Sequence, residues 1–143
     1  MDQRTQGLAA EISLAGCVAS QGLGLSWPAG ANEKYDLVVQ GKSGKLYRVQ
    51  IKSAGSKQGK SFCVHFTHGH KIRKTYTKKD VEVLAVFLPY QEHYKDIFAP
   101  GVYLIPIDKI KTPKGVFYPP GKGRCPNWVC KFEKYRDNWG IFK

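Results

Sequence analysis

Four residues in the N-terminal part of the chain have side chains that together could bind a divalent cation and activate water. Glu11 and Asp36 supply carboxylates, Gln50 supplies an amide and Lys52 supplies an amine. Hard oxygen ligands of this kind suit Mg²⁺, and a lysine beside them could orient or deprotonate a water molecule. Phosphodiester hydrolysis requires a cation, an activated water and a nearby positive charge. The residue types therefore point to this hydrolysis as the candidate chemistry.

The two carboxylates lie in a strongly basic stretch and next to apolar residues. Between residues 1 and 79 the acidic residues are Asp2, Glu11, Glu33 and Asp36. Glu11 lies beside the apolar stripe of a predicted helix, and Asp36 lies in a predicted strand. A carboxylate near the core is unfavourable unless it is paired or binds a cation, so both positions favour a functional role. As alternatives, Glu11 could pair with a lysine on the helix surface and Asp36 could be structural.

A helix and a strand hairpin are expected to position these residues. Apolar residues at helical spacing predict an amphipathic helix over residues 6–21, and the stripe consists of Leu8, Ile12, Ala15 and Ala19. After a loop over residues 22–34, two strands are predicted over 35–40 and 45–53, joined by a turn at 41–44. Alternation along the second strand places Gln50 and Lys52 on one face, which a hairpin can bring alongside Asp36.

Three further strands and a C-terminal helix complete the predicted fold. The strands cover residues 61–66, 81–88 and 102–107, and the last two are hydrophobic enough to be central in a sheet. A loop rich in Pro and Gly covers residues 112–127. Aromatic residues at helical spacing then predict a short helix containing Trp128, Phe132, Tyr135 and Trp139. This order predicts an α/β fold, with a mixed central sheet flanked by helices, in a single domain over residues 1–143.

The chain is strongly basic, with 23 Lys and Arg against 11 Asp and Glu and a net charge of +12. This excess favours a polyanionic partner, with nucleic acid first and an anionic membrane surface as the alternative. The sequence lacks an apolar stretch near the roughly 18 residues of a membrane span, and its N-terminus lacks signal-peptide features. We therefore expect a soluble, cytoplasmic protein that is not secreted, has access to DNA and keeps its cysteines reduced.

The candidate residues also resemble the site motif of the PD-(D/E)XK nuclease superfamily, with Glu11 in the first helix, Asp36 in a strand and QIK at 50–52 in the partner strand. The segments GLAAE, YDLVV, YRVQIKSA, KKDVEVLAVF, VYLIPI and FEKYRDNW look like the branch that contains the homing endonucleases of cyanobacterial group I introns. The sequence departs from the motif at Tyr35, which replaces a proline, and at Gln50, which replaces the second acid. The second departure gives a QxK variant and removes one charge from the metal site.

The resemblance implies a restriction-endonuclease-like fold and a Mg²⁺-dependent, site-specific endonuclease that cuts double-stranded DNA, with Mn²⁺ as a substitute ion. Asp36 and the main-chain carbonyl of Ile51 would hold the metal, and Glu11 would bind it directly or through water. Lys52 would be the catalytic lysine, and Gln50 would complete the site. Because one site cuts one strand, cleavage of both strands also suggests a homodimer or homotetramer.

Basic residues near the predicted site are candidates for contacts with DNA. They lie in the second predicted strand and in the two loops that follow it. Cations of this kind bind phosphates without regard to base sequence. The candidates are Arg48, Lys57, Lys60, His70, Lys71, Arg73 and Lys74.

The residues also leave alternatives open. A second metal site could form from a tract of cysteine and histidine, Cys63, His65, His68 and His70, although its spacing matches no zinc pattern. Cys125 and Cys130 could join that tract, or could simply be packed as small hydrophobic residues. The alternative functions are a Holliday-junction resolvase, a restriction-type endonuclease and a non-catalytic basic nucleic-acid-binding protein.

Overall fold

The N-terminal segment forms a long helix, α1, over Gln3–Ser20 in the computed structural model, which describes residues 2–54, 56–58, 61–69, 71–88, 102–117 and 131–143. Asp2 caps the helix by accepting a hydrogen bond from the Thr5 N–H at 2.9 Å. The helix ends before Gly22, whose φ of +70° is a left-handed conformation that favours glycine. The predicted helix is therefore confirmed.

The buried face of α1 differs from the predicted stripe. Ala10, Leu14 and Val18 are buried, whereas Leu8 and Ile12 are 56% and 64% exposed. Apolar residues occur on both sides of this helix, so their spacing alone does not determine which side packs on the core. The predicted stripe is therefore wrong, and the buried one lies on the neighbouring side of the helix.

Ten strands follow α1 within the described residues. In chain order they are β1 (Gly24–Ser26), β2 (Leu37–Gln40), β3 (Leu46–Ser53), β4 (Ser56–Gln58), β5 (Ser61–His65), β6 (Thr67–His68), β7 (Lys74–Thr75), β8 (Val83–Phe87), β9 (Tyr103–Pro106) and β10 (Lys114–Phe117). Short 3-10 turns occur at Ile107–Lys109, Glu133–Tyr135 and Trp139–Ile141.

The main sheet has five strands in the order β1, β2, β3, β8, β9. The β2 and β3 strands form an antiparallel hairpin in which Leu37 pairs with Val49. The β3 and β8 strands are parallel, with Ile51 opposite Ala85, and β9 runs antiparallel to β8. The sheet is therefore mixed, as the sequence predicts, and β3 lies at its centre.

All five predicted strands form, but the third, β5, belongs to a separate three-stranded sheet and not to the main one. The hairpin of β2 and β3 and the central position of β8 are confirmed, whereas β9 is the outermost strand of the five and not a central one. Among the described residues, five strands form where loops are predicted: β1 pairs with β2, β4 and β10 pair with β5, and β6 pairs with β7. All five are short and depend on pairing with another segment, so their local composition resembles that of a loop.

Each face of the main sheet carries its own hydrophobic core. On one face, Leu14 and Val18 of α1 pack against sheet residues such as Val49, and all three side chains are fully buried. Full burial of one such side chain contributes roughly 1.5–3 kcal/mol. On the other face, a three-stranded sheet in the order β10, β5, β4 covers the core that includes Phe62 and Tyr103. The main sheet thus lies between a helix and a smaller sheet.

The C-terminal segment does not form the predicted helix in its described part. Residues 131–143 instead make two short 3-10 turns, and Arg136 forms an isolated bridge with Tyr103 of β9. The next residue, Asp137, has a φ of 48° and donates its N–H to the carbonyl of Val102 at 2.7 Å. Because the main chain pairs with β9, it cannot also follow a regular helix. The aromatic spacing here reflects core packing, with Phe132 buried.

No helix in the described part of the chain combines the length and apolar character that crossing a membrane requires.

Candidate active site

The β2 and β3 hairpin brings together the predicted site residues Asp36, Gln50, Ile51 and Lys52. Asp36 lies just before β2 and its N–H donates to the carbonyl of Val49 at 2.9 Å, which extends the pairing of the two strands. Its Oδ2 accepts hydrogen bonds from Gln50 Nε2 and from the Ile51 N–H, both at 2.7 Å. The carboxylate is therefore fixed against the neighbouring strand, in the position that strand alternation predicts.

The pKa of Asp36 is raised above its ordinary value because burial disfavours the charged form. The hydrogen bond from the Ile51 N–H and the positive charge of Lys52 act in the opposite direction and lower this pKa. The carboxylate is thus partly withdrawn from water and has only limited compensation from the protein. A bound cation would supply the missing compensation.

Glu11 reaches the same region from helix α1. It is partly buried, and its pKa is raised first by burial and then by the negative charge of Asp36. The carboxylate of Glu11 has no hydrogen bond or ion pair with any of the residues that the structure describes. In a protein with a net charge of +12, an unpaired carboxylate close to a second one is unusual, and a shared cation would account for both.

Lys52 completes the group from the end of β3. Its Nζ donates to the carbonyl of Thr67 at 3.0 Å and lies 5.0 Å from the centre of the Tyr76 ring. Burial lowers the pKa of Lys52, the charge of Asp36 raises it, and the charge of Arg73 lowers it further. The net effect is a lysine that releases its proton more readily than a lysine in water.

The carboxamide of Gln50 lies between the two oxygen atoms that the predicted metal site would use. Its Nε2 donates to Asp36 Oδ2 at 2.7 Å and to the Ile51 carbonyl at 3.1 Å. The partly positive NH₂ group of Gln50 therefore bridges the Asp36 and Ile51 oxygens, so both oxygens point toward the same position. A cation at that point would require the Gln50 amide to turn, because its NH₂ group cannot be a ligand whereas its Oε1 can. The donors fit a hard divalent cation.

The candidate metal ligands carry little negative charge. Within the described ranges, no three side chains of His, Cys, Asp or Glu cluster as a metal site. The candidate site depends instead on two carboxylates, the Ile51 carbonyl and the Gln50 amide. This set of oxygen donors suits Mg²⁺ or Mn²⁺ better than zinc, which prefers nitrogen and sulfur ligands.

Among the candidate DNA contacts, Arg48 has an extensive network of contacts within the protein. Its guanidinium donates to the carboxylate of Glu82 and to the carbonyls of Lys78 and Lys79. The Arg48 N–H also donates to Glu82 Oε2 at 2.6 Å. These contacts use all three guanidinium nitrogens, so the structure favours a structural role for Arg48 over contact with DNA.

The remaining cations fall into two groups. Lys71, Arg73 and Lys74 are exposed on the hairpin formed by β6 and β7, close to Lys52. Lys57 lies in β4, where the structure describes the main chain only, and Lys60 and His70 lie outside the described residues. The hairpin therefore presents exposed cations beside the site.

The cysteine and histidine tract shows other contacts in the part of the chain that the structure describes. His65 is exposed and its Nδ1 lies 3.3 Å from Arg73 Nη1, while the ring of His68 lies 4.8 Å from that of Tyr76. Cys63 is partly buried in β5. Cys125 and Cys130 lie outside the described residues.

Two residues of the site, Thr67 and Tyr76, were not predicted. Thr67 acts through its carbonyl, for which the sequence carries no signal. Tyr76 follows the basic run 71–74, and its ring contacts Lys52 only because β6 and β7 fold back beside β3. Gly69 is a sequence signal that could have indicated this proximity, because glycine is typical of tight turns. In the structure Gly69 has a φ of +95°.

Comparisons with known proteins bear on the family and the fold of the chain. A family model described as PD-(D/E)XK endonuclease matches residues 1–115. Among solved structures, the chain is similar to a bacterial homing endonuclease, I-Ssp6803I, at 19% sequence identity and with a TM-score of 0.78. That match covers 99% of this chain and 93% of the other, and it confirms the predicted fold class. A search of curated proteins found no match.

Proposed function

Because the chain belongs to the PD-(D/E)XK endonuclease family, as its motif residues led us to expect, we propose that it is a metal-dependent, site-specific endonuclease of double-stranded DNA. Its active site would comprise Glu11, Asp36, Gln50 and Lys52, together with the carbonyl of Ile51. The ion would be Mg²⁺, with Mn²⁺ as a substitute, and the whole chain would act as one nuclease domain. Specificity for a site is suggested by the structural likeness to a homing endonuclease.

One observation carries this proposal. Asp36 is held against β3 by Gln50 and Ile51, and the partly buried Glu11 of α1 lies near enough for the charge of Asp36 to raise its pKa. The charge of Lys52, whose own pKa is lowered, also acts on Asp36. Partly buried carboxylates and a partly buried lysine cost the folded chain free energy unless bound groups of opposite charge, such as a cation and a phosphate, compensate them. Perturbed groups of this kind are typical of catalytic sites.

The chemistry follows from the position of each group. Asp36, the Ile51 carbonyl and Glu11 would hold the divalent cation, which supplies positive charge to the scissile phosphate and lowers the pKa of water. Lys52, as an ammonium, would donate a hydrogen bond from Nζ to a phosphate oxygen as negative charge develops there. Because its pKa is lowered, Nζ could also exchange a proton with the attacking water.

The partner would be duplex DNA, bound through the exposed cations of the β6 and β7 hairpin, Lys71, Arg73 and Lys74, with His70, Lys57 and Lys60 as further candidates. Each site cuts one strand, so a homodimer or homotetramer would cut both strands. The net charge of +12 supports association with a polyanion.

Cleavage assays with matched substitutions test this function. We expect wild-type protein with Mg²⁺ to cut plasmid DNA carrying diverse natural inserts into discrete linear fragments. Asp36→Ala and Lys52→Ala should each lower the cleavage rate by at least about 100-fold and leave DNA binding nearly unchanged. The control variants are Asp108→Ala and Lys78→Ala, which remove the same residue types from an exposed ion pair of 3.6 Å. Both controls should cut at the wild-type rate.

The same assay separates the alternative functions. A synthetic four-way junction is offered in parallel, and symmetric cuts in the junction alone would indicate a resolvase. Binding of DNA without cleavage of any substrate, in the wild type as in Asp36→Ala, would indicate a non-catalytic binding protein and would contradict the proposal.

A further inference from the structure

The ammonium group of Lys52 is held by two residues of one small hairpin. Thr67, the first residue of β6, accepts its hydrogen bond at 3.0 Å, and the ring of Tyr76, directly after β7, lies 5.0 Å from Nζ. A lysine side chain has four rotatable bonds and would otherwise sample many positions. Its terminal group is therefore placed by the hairpin and not by β3 alone.

The Tyr76 ring is itself fixed in place. The residue is 9% exposed and belongs to the core between the main sheet and the smaller sheet. The ring of His68 contacts it at 4.8 Å, and pairing of His68 with Lys74 sets the register of the hairpin. The turn requires glycine at position 69, where φ is +95° and a Cβ would lie 2.5 Å from the carbonyl oxygen of Ile72. The Tyr76 ring is thus held in place by packing and contacts the flexible side chain of Lys52.

The ring of Tyr76 provides this contact, and its hydroxyl does not. No hydrogen bond joins the Tyr76 hydroxyl to another residue in the described part of the chain. Burial and the charge of Asp36 raise the pKa of Tyr76 to about 12, so the phenol stays neutral. A neutral aromatic face attracts an ammonium group and leaves its N–H donors free for a phosphate or water.

We propose, on the basis of the endonuclease function proposed above, that Tyr76 is a positioning residue which holds the Lys52 ammonium at the reacting phosphate through its aromatic ring. A displacement of about 1 Å in a catalytic group can lower a rate by roughly 100-fold. Loss of the ring should therefore slow the chemical step without weakening the binding of DNA.

Substitutions that keep or remove the ring test this role. Tyr76→Leu should lower the single-turnover cleavage rate by about 30- to 100-fold, with the Kd for DNA, measured with Ca²⁺, within about threefold of wild type. Tyr76→Phe keeps the ring and should restore the rate to within about threefold. Tyr47→Leu is the matched control, because Tyr47 is 7% exposed and lies under Lys45 at 4.9 Å, on the other face of the sheet. It should lower the melting temperature without slowing cleavage.

Three results of this experiment would overturn the positioning role. The first is a wild-type cleavage rate in Tyr76→Leu, and the second is a rate in Tyr76→Phe as low as that of Tyr76→Leu. The third is an equal loss of rate in Tyr47→Leu, which would show that the slower cleavage comes from lower stability.

A second measurement needs neither cleavage nor a folded leucine variant. In wild type and Tyr76→Phe, the ring current should move the ε-methylene protons of Lys52 upfield of those of exposed lysines in a carbon-proton correlation spectrum. Ordinary chemical shifts for these protons in the wild type would refute the contact even if DNA is cut. Shifted protons in a protein that cuts no DNA would leave the contact standing and would refute the endonuclease function instead.

Discussion

Burial in the folded protein disfavours the ionisation of both Glu11 and Asp36. Both have raised pKa values, and the charge of Asp36 contributes to the shift at Glu11. A group with a raised pKa contributes stability that is fully present below its unfolded pKa and is lost as the pH rises through its folded pKa. At neutral pH the two carboxylates therefore lower the stability of the metal-free protein. Residues of a site selected for cation binding often have this effect.

Glu11→Gln should stabilise the metal-free protein. The substitution removes a charge from a group that has no hydrogen bond or ion pair in the described residues. Because water screens the partly exposed Glu11, we expect a gain of only about 0.5 kcal/mol, or roughly 1–3 °C in melting temperature at pH 7. The gain should shrink as the pH falls through the raised pKa of Glu11 in the folded protein, because the wild-type carboxyl group is then neutral as well. Thermal unfolding at several pH values, with a chelator present, measures this difference.

The metal response provides the control for this substitution. Added Mn²⁺ should raise the melting temperature of wild type more than that of Glu11→Gln. A variant that is less stable than wild type at pH 7 without metal would show that Glu11 has a stabilising partner, and would argue against the paired carboxylates.

Gln50→Glu should strengthen metal binding and weaken the metal-free fold. Gln50 Nε2 now donates to Asp36 Oδ2 at 2.7 Å, whereas a glutamate would place a third carboxylate there. We expect the affinity for Mn²⁺, measured by calorimetry, to increase about tenfold or more, with a lower melting temperature in chelator. Gln58→Glu in β4 adds the same charge elsewhere and serves as the control. Unchanged affinity in Gln50→Glu would place the metal away from this side chain.

At the scale of the secondary-structure elements, Arg48 and Glu82 join the parallel strands β3 and β8 at one end. The Glu82 N–H donates to the Arg48 carbonyl at 3.0 Å, and the side chains pair through several hydrogen bonds. The same end of β8 adjoins the turn at Lys78 and Lys79, whose carbonyls accept from Arg48. This network holds the start of β8 in register with β3, and so stabilises the sheet that carries Lys52.

Arg48→Ala should therefore lower stability and leave DNA affinity within about threefold of wild type. The two side chains are 33% and 32% exposed, so we expect a loss of about 1–2 kcal/mol in urea unfolding. Lys34→Ala breaks a single contact with Asp80, in which the lysine side chain is 51% exposed, and should cost less than about 0.5 kcal/mol. If Arg48→Ala instead weakens DNA binding tenfold with unchanged stability, Arg48 contacts DNA after all.

At the scale of the whole molecule, the net charge of +12 should make DNA binding strongly dependent on salt. Each cation that contacts a phosphate contributes about 0.9 to the slope of log Kd against log salt concentration. Replacing Arg73 and Lys74 together by Ala should lower that slope by about 2, as measured by fluorescence anisotropy. Lys42→Ala, at the opposite end of the β2 and β3 hairpin, should leave the slope unchanged. An unchanged slope in the double variant would exclude the β6 and β7 hairpin as a phosphate-binding element.

The local sequence determined the elements that carry the site. Alternating apolar residues in β2 and β3 place Leu37 and Val49 in the core, and the same alternation puts Gln50 and Lys52 on the opposite face. The turn between the strands contains Gly44, whose φ of +87° favours glycine. Because strand alternation and turn chemistry act over a few residues, they could be recognised without the fold. The motif residues and the family followed from this part of the chain.

Only the tertiary structure decided how distant segments use these elements. Helix α1 has apolar residues on two sides, and packing against the main sheet selected Leu14 and Val18 over Leu8 and Ile12. Arg48 pairs with Glu82, 34 residues away, a contact that the local sequence does not indicate. Tyr76 reached Lys52 through pairing of β6 with β7, and Arg136 bridged to β9 where a helix was predicted. Each outcome depends on which surfaces meet in three dimensions, and periodicity along the chain does not carry that information.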